Sequence, residues 1–338
     1  MYKIKQLPED FIVREIKDIE FDDNGQYAYF LLKKKNHNTL EAAEKIAKKL
    51  KISIKSIGFA GNKDKNAVTE QFVSIKNGKK DFERIILKGI ELRYLGKGNG
   101  EIYLGRLKGN EFNITMRNLT QEEIKKIENK AKNKQIFMPN YFGKQRFSKN
   151  NHLVGKAIIN GDFKKAVELV LKANSEHNER IKEHLQKQKN DFIGALKIIP
   201  FKMLKLYVHS YQSFLFNKAL EEYISVNKEN SNRPDYNQKI TIAGFSTELK
   251  ESKNKQIKNI IEKILEEEKI TERDFIIRAI PDLSSEGSER NAFVRISDFK
   301  ITKTEKDELN EGKKKIAVSF SLPKGCYATV LIDFLFKN

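Results

Sequence analysis

The feature that most constrains this chain is where its two hydrophobic periods fall. Apolar residues alternate near both ends and recur at helical spacing between them. Near the C-terminus Ile316, Val318, Phe320 and Leu322 stand in strict alternation, the pattern of a strand with one buried face. Near the N-terminus Phe11-Ile12-Val13 and Tyr27 to Leu32 read as extended segments, set off by turns at Pro8-Glu9-Asp10 and Asn24-Gly25. From about residue 150 to 290 helical spacing dominates, over Asp162 to Ala173, Glu176 to Lys189, Met203 to Tyr223 and Lys253 to Lys269. Within Met203 to Tyr223 the stripe Tyr207, Tyr211, Phe214, Leu215 and Phe216 reads as core. The chain is therefore expected to be α+β: a mixed or antiparallel sheet built from both chain ends, with a mainly helical α/β domain inserted. At 338 residues two domains fit, divided as 1–150, 151–294 and 295–338.

Local patterns fill in the frame. Asn38 and Glu41 make a capping pair for a helix over Thr39 to Leu50, with Leu40, Ala43, Ala47 and Leu50 on one face. Ile102 to Leu107 and Glu111 to Met116 read as a hairpin across Lys108-Gly109-Asn110. Thr120 to Lys132 reads as a helix with Ile124 and Ile127 inward, and Asn227 to Gln238 as a polar surface loop. Pro281 to Arg290 reads as a loop, and a final apolar helix starts at Tyr327. The glycines at 96, 98 and 100 form a loop, but their spacing is not a dinucleotide fingerprint, and no G-x-x-x-x-G-K-[ST] phosphate loop occurs.

Charge narrows the function. Lys plus Arg number 65 against 46 Asp plus Glu, a net charge of +19. Abundant charge of both signs also marks proteins from hot environments, but the imbalance points to a polyanion such as RNA or DNA. One cysteine, Cys326, excludes an internal disulfide and a thiolate zinc cluster. The five histidines show no metal-binding spacing. No metal or cofactor is expected. No apolar run is long enough to span a membrane and no signal peptide is evident, so the expected compartment is the cytoplasm.

Chemistry concentrates in Ile57 to Ile75, where a short apolar run turns through Gly61-Asn62, presents Asp64 between Lys63 and Lys65, and resumes an extended pattern. Strand, tight loop, strand holds a side chain rigidly at a surface. A carboxylate among ammonium groups stays ionised and can act as nucleophile or base. Taken alone, Lys63-Asp64-Lys65 reads as a solvated turn. Likewise Lys5 with Glu9-Asp10-Phe11 reads locally as a polar strand edge, and Phe112 as a core phenylalanine. Asn140 to Phe147 suits either single-stranded RNA or a packed domain joint.

Together these segments resemble the TruD family of pseudouridine synthases. Gly58 to Gln71 resembles the family's signature loop, in which Asp64 matches the catalytic aspartate. Pro8 to Val13 resembles its N-terminal motif, with Lys5 at the place of an active-site lysine. Lys108-Gly109-Asn110-Glu111-Phe112 is similar to the family's G-N-x-F, whose Asn and aromatic line the uridine pocket. Asn140 to Phe147 is similar to a second signature, Tyr211 to Asn217 to a helix of the inserted TRUD domain, and Leu322 to Thr329 to the C-terminal motif. The matches run in family order over nearly the whole chain. Two departures stand out: Ser148 replaces a usual glycine, and the Arg-Glu that commonly follows the C-terminal motif is replaced around Ile332-Asp333.

The resemblance implies a cytoplasmic, cofactor-free tRNA-modifying isomerase. It would convert a uridine, typically position 13 in the D-arm region, to pseudouridine on a flipped-out base, with tRNA as its partner and a monomeric state. Asp64 would be catalytic. Lys5, Lys63, Asn110, Phe112 and Tyr327 would bind substrate, with Lys5 or Lys63 as supporting charge, Phe112 stacking on the base and Tyr327 closing the pocket. Lys65, Lys144 and Arg146 would add RNA contacts. The alternative is an RNA-binding module or tRNA folding chaperone with secondary or no catalysis. A SAM-dependent RNA methyltransferase is weaker, because no glycine-rich loop follows a first strand in a doubly wound pattern.

Overall fold

The computed structural model describes residues 1–133, 135–173, 175–229, 234–247 and 254–337. Part of the polar loop expected at Asn227 to Gln238, and the Lys253 start of the last inserted helix, lie outside them. The chain divides into two compact units, Met1–Ile136 with Arg295–Asn338, and Phe137–Val294. Residues 137–150 thus group with the second unit.

In chain order the first stretch holds β1 (Phe11–Glu15), β2 (Tyr27–Lys35), α1 (Thr39–Leu50), β3 (Ile57–Phe59), β4 (Val68–Lys76), β5 (Ile90–Gly98), β6 (Gly109–Leu119), α2 (Gln121–Ala131) and β7 (Ile136–Pro139). The second unit holds α3 (Asn151–Ile159), α4 (Phe163–Lys172), α5 (Asn178–Lys187), α6 (Phe192–Lys197), α7 (Phe201–Glu229), β8 (Lys239–Ile242), α8 (Lys255–Glu268) and β9 (Ser288–Asn291). The chain returns through β10 (Phe293–Lys306), β11 (Lys314–Pro323) and α9 (Ala328–Phe336).

The sheet of the first unit runs β5-β2-β4-β1-β6-β11-β10, with β3 beside β4. It is mixed: β1 and β4 are parallel, while β1 and β6, and β6 and β11, are antiparallel. The C-terminal strand β11 lies inside the sheet, and its alternating residues Ile316, Val318, Phe320 and Leu322 are all buried. Register then fixes the site. Val68, the first residue of β4, pairs with Ile12 at the start of β1 and with Lys35 at the end of β2. The loop between β3 and β4 is therefore delivered to the edge where β1 begins and β2 ends.

Helix α1 has its expected cap, with the Glu41 N–H donating to Asn38 Oδ1 at 2.8 Å and the Asn38 N–H to Glu41 Oε2 at 3.3 Å. Its expected face needs correction, because Leu40 is 48% exposed. The buried face is Ala42, Ala43, Ile46 and Ala47, packed on Phe30, Leu32, Ile57, Val73 and Ile75; the small alanines let the helix lie close to the sheet. The expected hairpin at 102–107 is also absent. That segment is irregular because its backbone bonds go elsewhere: the Ile102 N–H to Ser74 Oγ at 2.9 Å, and the Gly105 N–H to the Ala60 carbonyl at 2.9 Å. Gly109 and Asn110, expected as its turn, begin β6. Strand β5 runs on through Gly98, where a Cβ would meet the Tyr29 ring at 2.4 Å.

In the second unit α7 is 29 residues long and buries Tyr207, Tyr211, Leu215, Phe216 and Tyr223. It outruns the expected Met203 to Tyr223 at both ends. Gly155 lets α3 sit against it, since a Cβ there would meet the Tyr207 carbonyl oxygen at 2.1 Å. Strands β8 and β9 form an antiparallel pair. Among the described residues no helix is long and apolar enough to cross a membrane.

Candidate active site

The loop from β3 to β4 carries Asp64, and polar groups beneath it hold its backbone. The Lys63 N–H donates to Thr39 Oγ1 at 2.8 Å, the Thr39 hydroxyl donates to Gln71 Oε1 at 2.8 Å, and the Gln71 amide donates to the Gly61 carbonyl at 3.3 Å. Lys34 completes the frame. Its ammonium donates to the carbonyls of His37 at 2.6 Å, Asp64 at 3.0 Å and Lys63 at 3.3 Å. Thr39, Gln71 and Lys34 are all fully buried, so the loop is pinned from inside while the Asp64 side chain stays 29% exposed.

Asp64 Oδ1 accepts the Asn66 N–H at 3.1 Å, the local turn expected of an aspartate here. Oδ2 accepts the ammonium of Lys5. Lys5 has a left-handed backbone, φ +59°, uncommon for a residue other than glycine. Its ammonium also lies 4.2 Å from the centre of the Phe11 ring. The segment bearing it is tied on both sides. Lys3 and Arg117 exchange backbone hydrogen bonds at 3.0 and 2.8 Å, and the Leu7 N–H donates to Asp10 Oδ2 at 2.9 Å. Asp10 is held in turn by the Arg117 guanidinium, which also donates to Asp307 at 3.0 Å. Burial pushes the Asp64 carboxyl up, but the Lys5 bond and charge, the Asn66 N–H and the Lys34 charge outweigh it and hold its pKa below the ordinary aspartate value. Asp64 is an ionised, oriented carboxylate, able to attack carbon or take a proton.

Lys63 takes a different place from the one expected. Its side chain is 8% exposed, and its ammonium lies 3.3 Å from Glu15, itself 4% exposed, and donates to Asn110 Oδ1. Burial lowers the Lys63 pKa and raises that of Glu15. This lysine joins the loop to β1 and β6 and offers no free charge to a phosphate. Phe112 is likewise no open platform. It is 8% exposed, stacked on Phe320 at 5.2 Å with Phe11 edge-on at 6.3 Å, which supports the local expectation of a core residue. Tyr327 stands at the N-cap position of α9 without a side-chain cap bond, and the turn before it donates the Lys324 N–H to the Lys108 carbonyl at 3.1 Å, two residues from Asn110. Lys65 is exposed and 3.3 Å from Glu41. Lys144 and Arg146 belong to the second unit, where Arg146 Nε donates to Ser213 Oγ at 3.2 Å.

The two departures are absorbed without strain. Ser148 has φ −54°, a value any residue adopts, and the left-handed positions are Lys149 and Asn150. Ile332 is buried and Asp333 accepts the Tyr2 hydroxyl.

Lys34, Thr39 and Glu15 escape a reading of motifs, and Gln71, the last residue of the signature loop, carries no role in one. Parity is the signal that finds Lys34: in β2 it shares a sheet face with buried Leu32, although Lys33-Lys34-Lys35 looks like a solvated run. Among the described residues no group of three His, Cys, Asp or Glu could hold a metal ion.

Comparison with known proteins now joins the geometry. Residues 2–184, 174–235 and 225–333 match the family described as tRNA pseudouridine synthase D (TruD). A Methanosarcina barkeri protein described as a probable tRNA pseudouridine synthase D is 32% identical over 98% of this chain and 92% of its own. A tRNA pseudouridine synthase D from Aquifex aeolicus is 28% identical over 99% and 98%. The crystal structure of the Methanosarcina mazei protein described as tRNA pseudouridine synthase D (TruD) superposes with a TM-score of 0.77 at 28% identity, covering 99% of this chain and 93% of that one. With the family matched from end to end and an ionised aspartate on its signature loop, this chain belongs to the tRNA pseudouridine synthase D (TruD) family.

Proposed function

We propose that this protein isomerises a uridine of tRNA to pseudouridine, with Asp64 as the catalytic carboxylate. The observation that carries the reading is the contact of the Lys5 ammonium with Asp64 on a loop anchored from beneath. The reaction breaks the N1–C1′ bond, turns the base, and joins C5 to C1′; N1 gains a proton and the C5 proton leaves to solvent. It needs no redox change. An ionised Asp64 can start it by attacking C1′ or by taking a ribose proton. Lys5 keeps the carboxylate charged and directed. The uridine must leave its stack to reach Asp64, at a cost of a few kcal/mol. Gly61, with open space where a Cβ would stand, gives the RNA backbone room to approach. Exposed Lys65 and the net charge of +19 supply attraction for phosphate, so activity falls steeply with added salt. Uridine 13 of the D-arm region is the target that the family resemblance supports.

The test is tritium release from bulk tRNA transcribed with [5-³H]uridine, with wild type beside Asp64→Ala. Release by the wild type alone supports the reading. Release by neither, with tRNA binding confirmed, replaces it with an RNA-binding or chaperone role. Equal release by both means that another carboxylate is catalytic.

A further inference from the structure

Lys34 is a buried ionisable group that takes part in none of the bond changes written above. It lies 1% exposed at the end of β2, across from Thr69 of β4. An ammonium has three donors, and each is matched here to a backbone carbonyl, of His37 at 2.6 Å, Asp64 at 3.0 Å and Lys63 at 3.3 Å. Two of the three belong to the loop that presents the catalytic carboxylate. Burying a charge is expensive, and is sustained only when it is fully hydrogen-bonded. A buried cation at this spot ties the cost of its own burial to one loop conformation.

We propose that protonated Lys34 is a positioning residue of the isomerisation: clasped by the carbonyls of His37, Lys63 and Asp64, it fixes the loop so that the Asp64 side chain projects toward substrate. This rests on the assignment of Asp64 as catalytic. Lys34 touches no reacting atom; it acts through the backbone of the residue that does.

The charged groups acting on Lys34 are Asp64 and Glu41, which favour its charged form, and Lys63, which opposes it. Burial dominates and brings its pKa down to about 8. A neutral amine has two donors and a lone pair, so one carbonyl of the clasp loses its partner. The sign for the whole fold is opposite. Between about 8 and the ordinary 10.5 the unfolded chain binds more protons than the folded one, so this group's contribution to stability rises with pH. Loss of the clasp in that window is local and cannot be read as unfolding.

The first measurement uses the wild type: amide hydrogen exchange from pH 7 to 9.5, corrected for intrinsic rate. Expected is a loss of protection over 61–66, centred near pH 8, with β4 still protected. The second compares Lys34→Met and Lys34→Arg with the wild type in single-turnover tritium release. Lys34→Met is expected to lose on the order of 100-fold in the chemical step, the cost of a small misplacement, with tRNA affinity unchanged. Lys34→Arg is expected to recover activity and to lose the alkaline decline near pH 8. Even loop protection across the range overturns the proposal, as does a Lys34→Met protein that is active, or one weakened in tRNA affinity alone. If the wild type releases no tritium, the assignment of function fails instead, and the exchange experiment still decides whether Lys34 holds the loop.

Discussion

The ammonium of Lys5 and the carboxylate of Asp64 meet although 59 positions separate them in the chain. One comes from the segment before β1 and the other from the loop before β4, and the parallel pairing of those strands brings them together. Burial alone would raise the Asp64 pKa; Lys5 and its neighbours bring it below the ordinary value. The ionised form is thus favoured in the folded state. Its contribution to stability is present above the ordinary value of 3.8 and is lost as pH falls through the lower folded value. Lys5→Met should therefore move the acidic limb of the rate profile to higher pH, while Lys5→Arg holds it. An unmoved limb in Lys5→Met would show that Lys5 does not set the charge of Asp64.

The buried pair Glu15–Lys63 makes a contrasting case. Lys63→Met strands the Glu15 carboxylate and is expected to lower unfolding free energy by about 3–5 kcal/mol. The double variant Glu15→Leu/Lys63→Met should regain most of that. Urea denaturation measures the stability, and filter binding the tRNA affinity. A Lys63→Met protein of normal stability with weakened tRNA binding would restore the substrate-binding role expected from sequence.

Arg117 is buried between Asp10 and Asp307, whose second oxygen accepts the Asn118 N–H at 2.7 Å. A double-mutant cycle with Asp10→Asn and Asp307→Asn should give a coupling of about 0.5–3 kcal/mol. Additive losses would mean that the two carboxylates act on Arg117 independently.

Two glycines separate fold from function. Gly155→Ala drives a methyl into the Tyr207 carbonyl and should cost about 1–3 kcal/mol of stability, as overpacking does. Gly61→Ala meets nothing within 4 Å and should leave the melting temperature unchanged while raising KM for tRNA. A stable Gly61→Ala enzyme with normal KM would show that RNA does not approach the loop there.

How much the sequence disclosed depended on how local each interaction is. The capping pair Asn38–Glu41, the inward Ile124 and Ile127, and the alternation through β11 are written within a few residues of one another, and all three are found. The α+β class follows from the same periods. Leu40 reads as inward because a helix with alanines on several sides does not reveal which side meets the sheet. Ile102 to Leu107 opens on the apolar run Ile102-Tyr103-Leu104 and so reads as a strand, but its partners, Ser74 and Ala60, are distant in the chain. Asp64 and Lys5 stood out through family motifs. Lys34 did not, because a lysine among lysines signals solvent until its parity is counted against Leu32.

The placement of β11 between β6 and β10 has a consequence for the cell. Domains generally fold as they leave the ribosome, N-terminal parts first. Here Lys5, Asp64 and Asn110 are all made long before β11, yet β6 lacks one neighbour and Arg117 lacks Asp307 until the final strands arrive. A message cut short before Lys314 yields a chain holding Lys5, Lys34, Asp64 and Asn110, with an unpaired β6 edge that invites aggregation and proteolysis. The topology thus leaves the sheet that carries the Lys5–Asp64 pair unfinished until β11 is made, long after both residues of the pair.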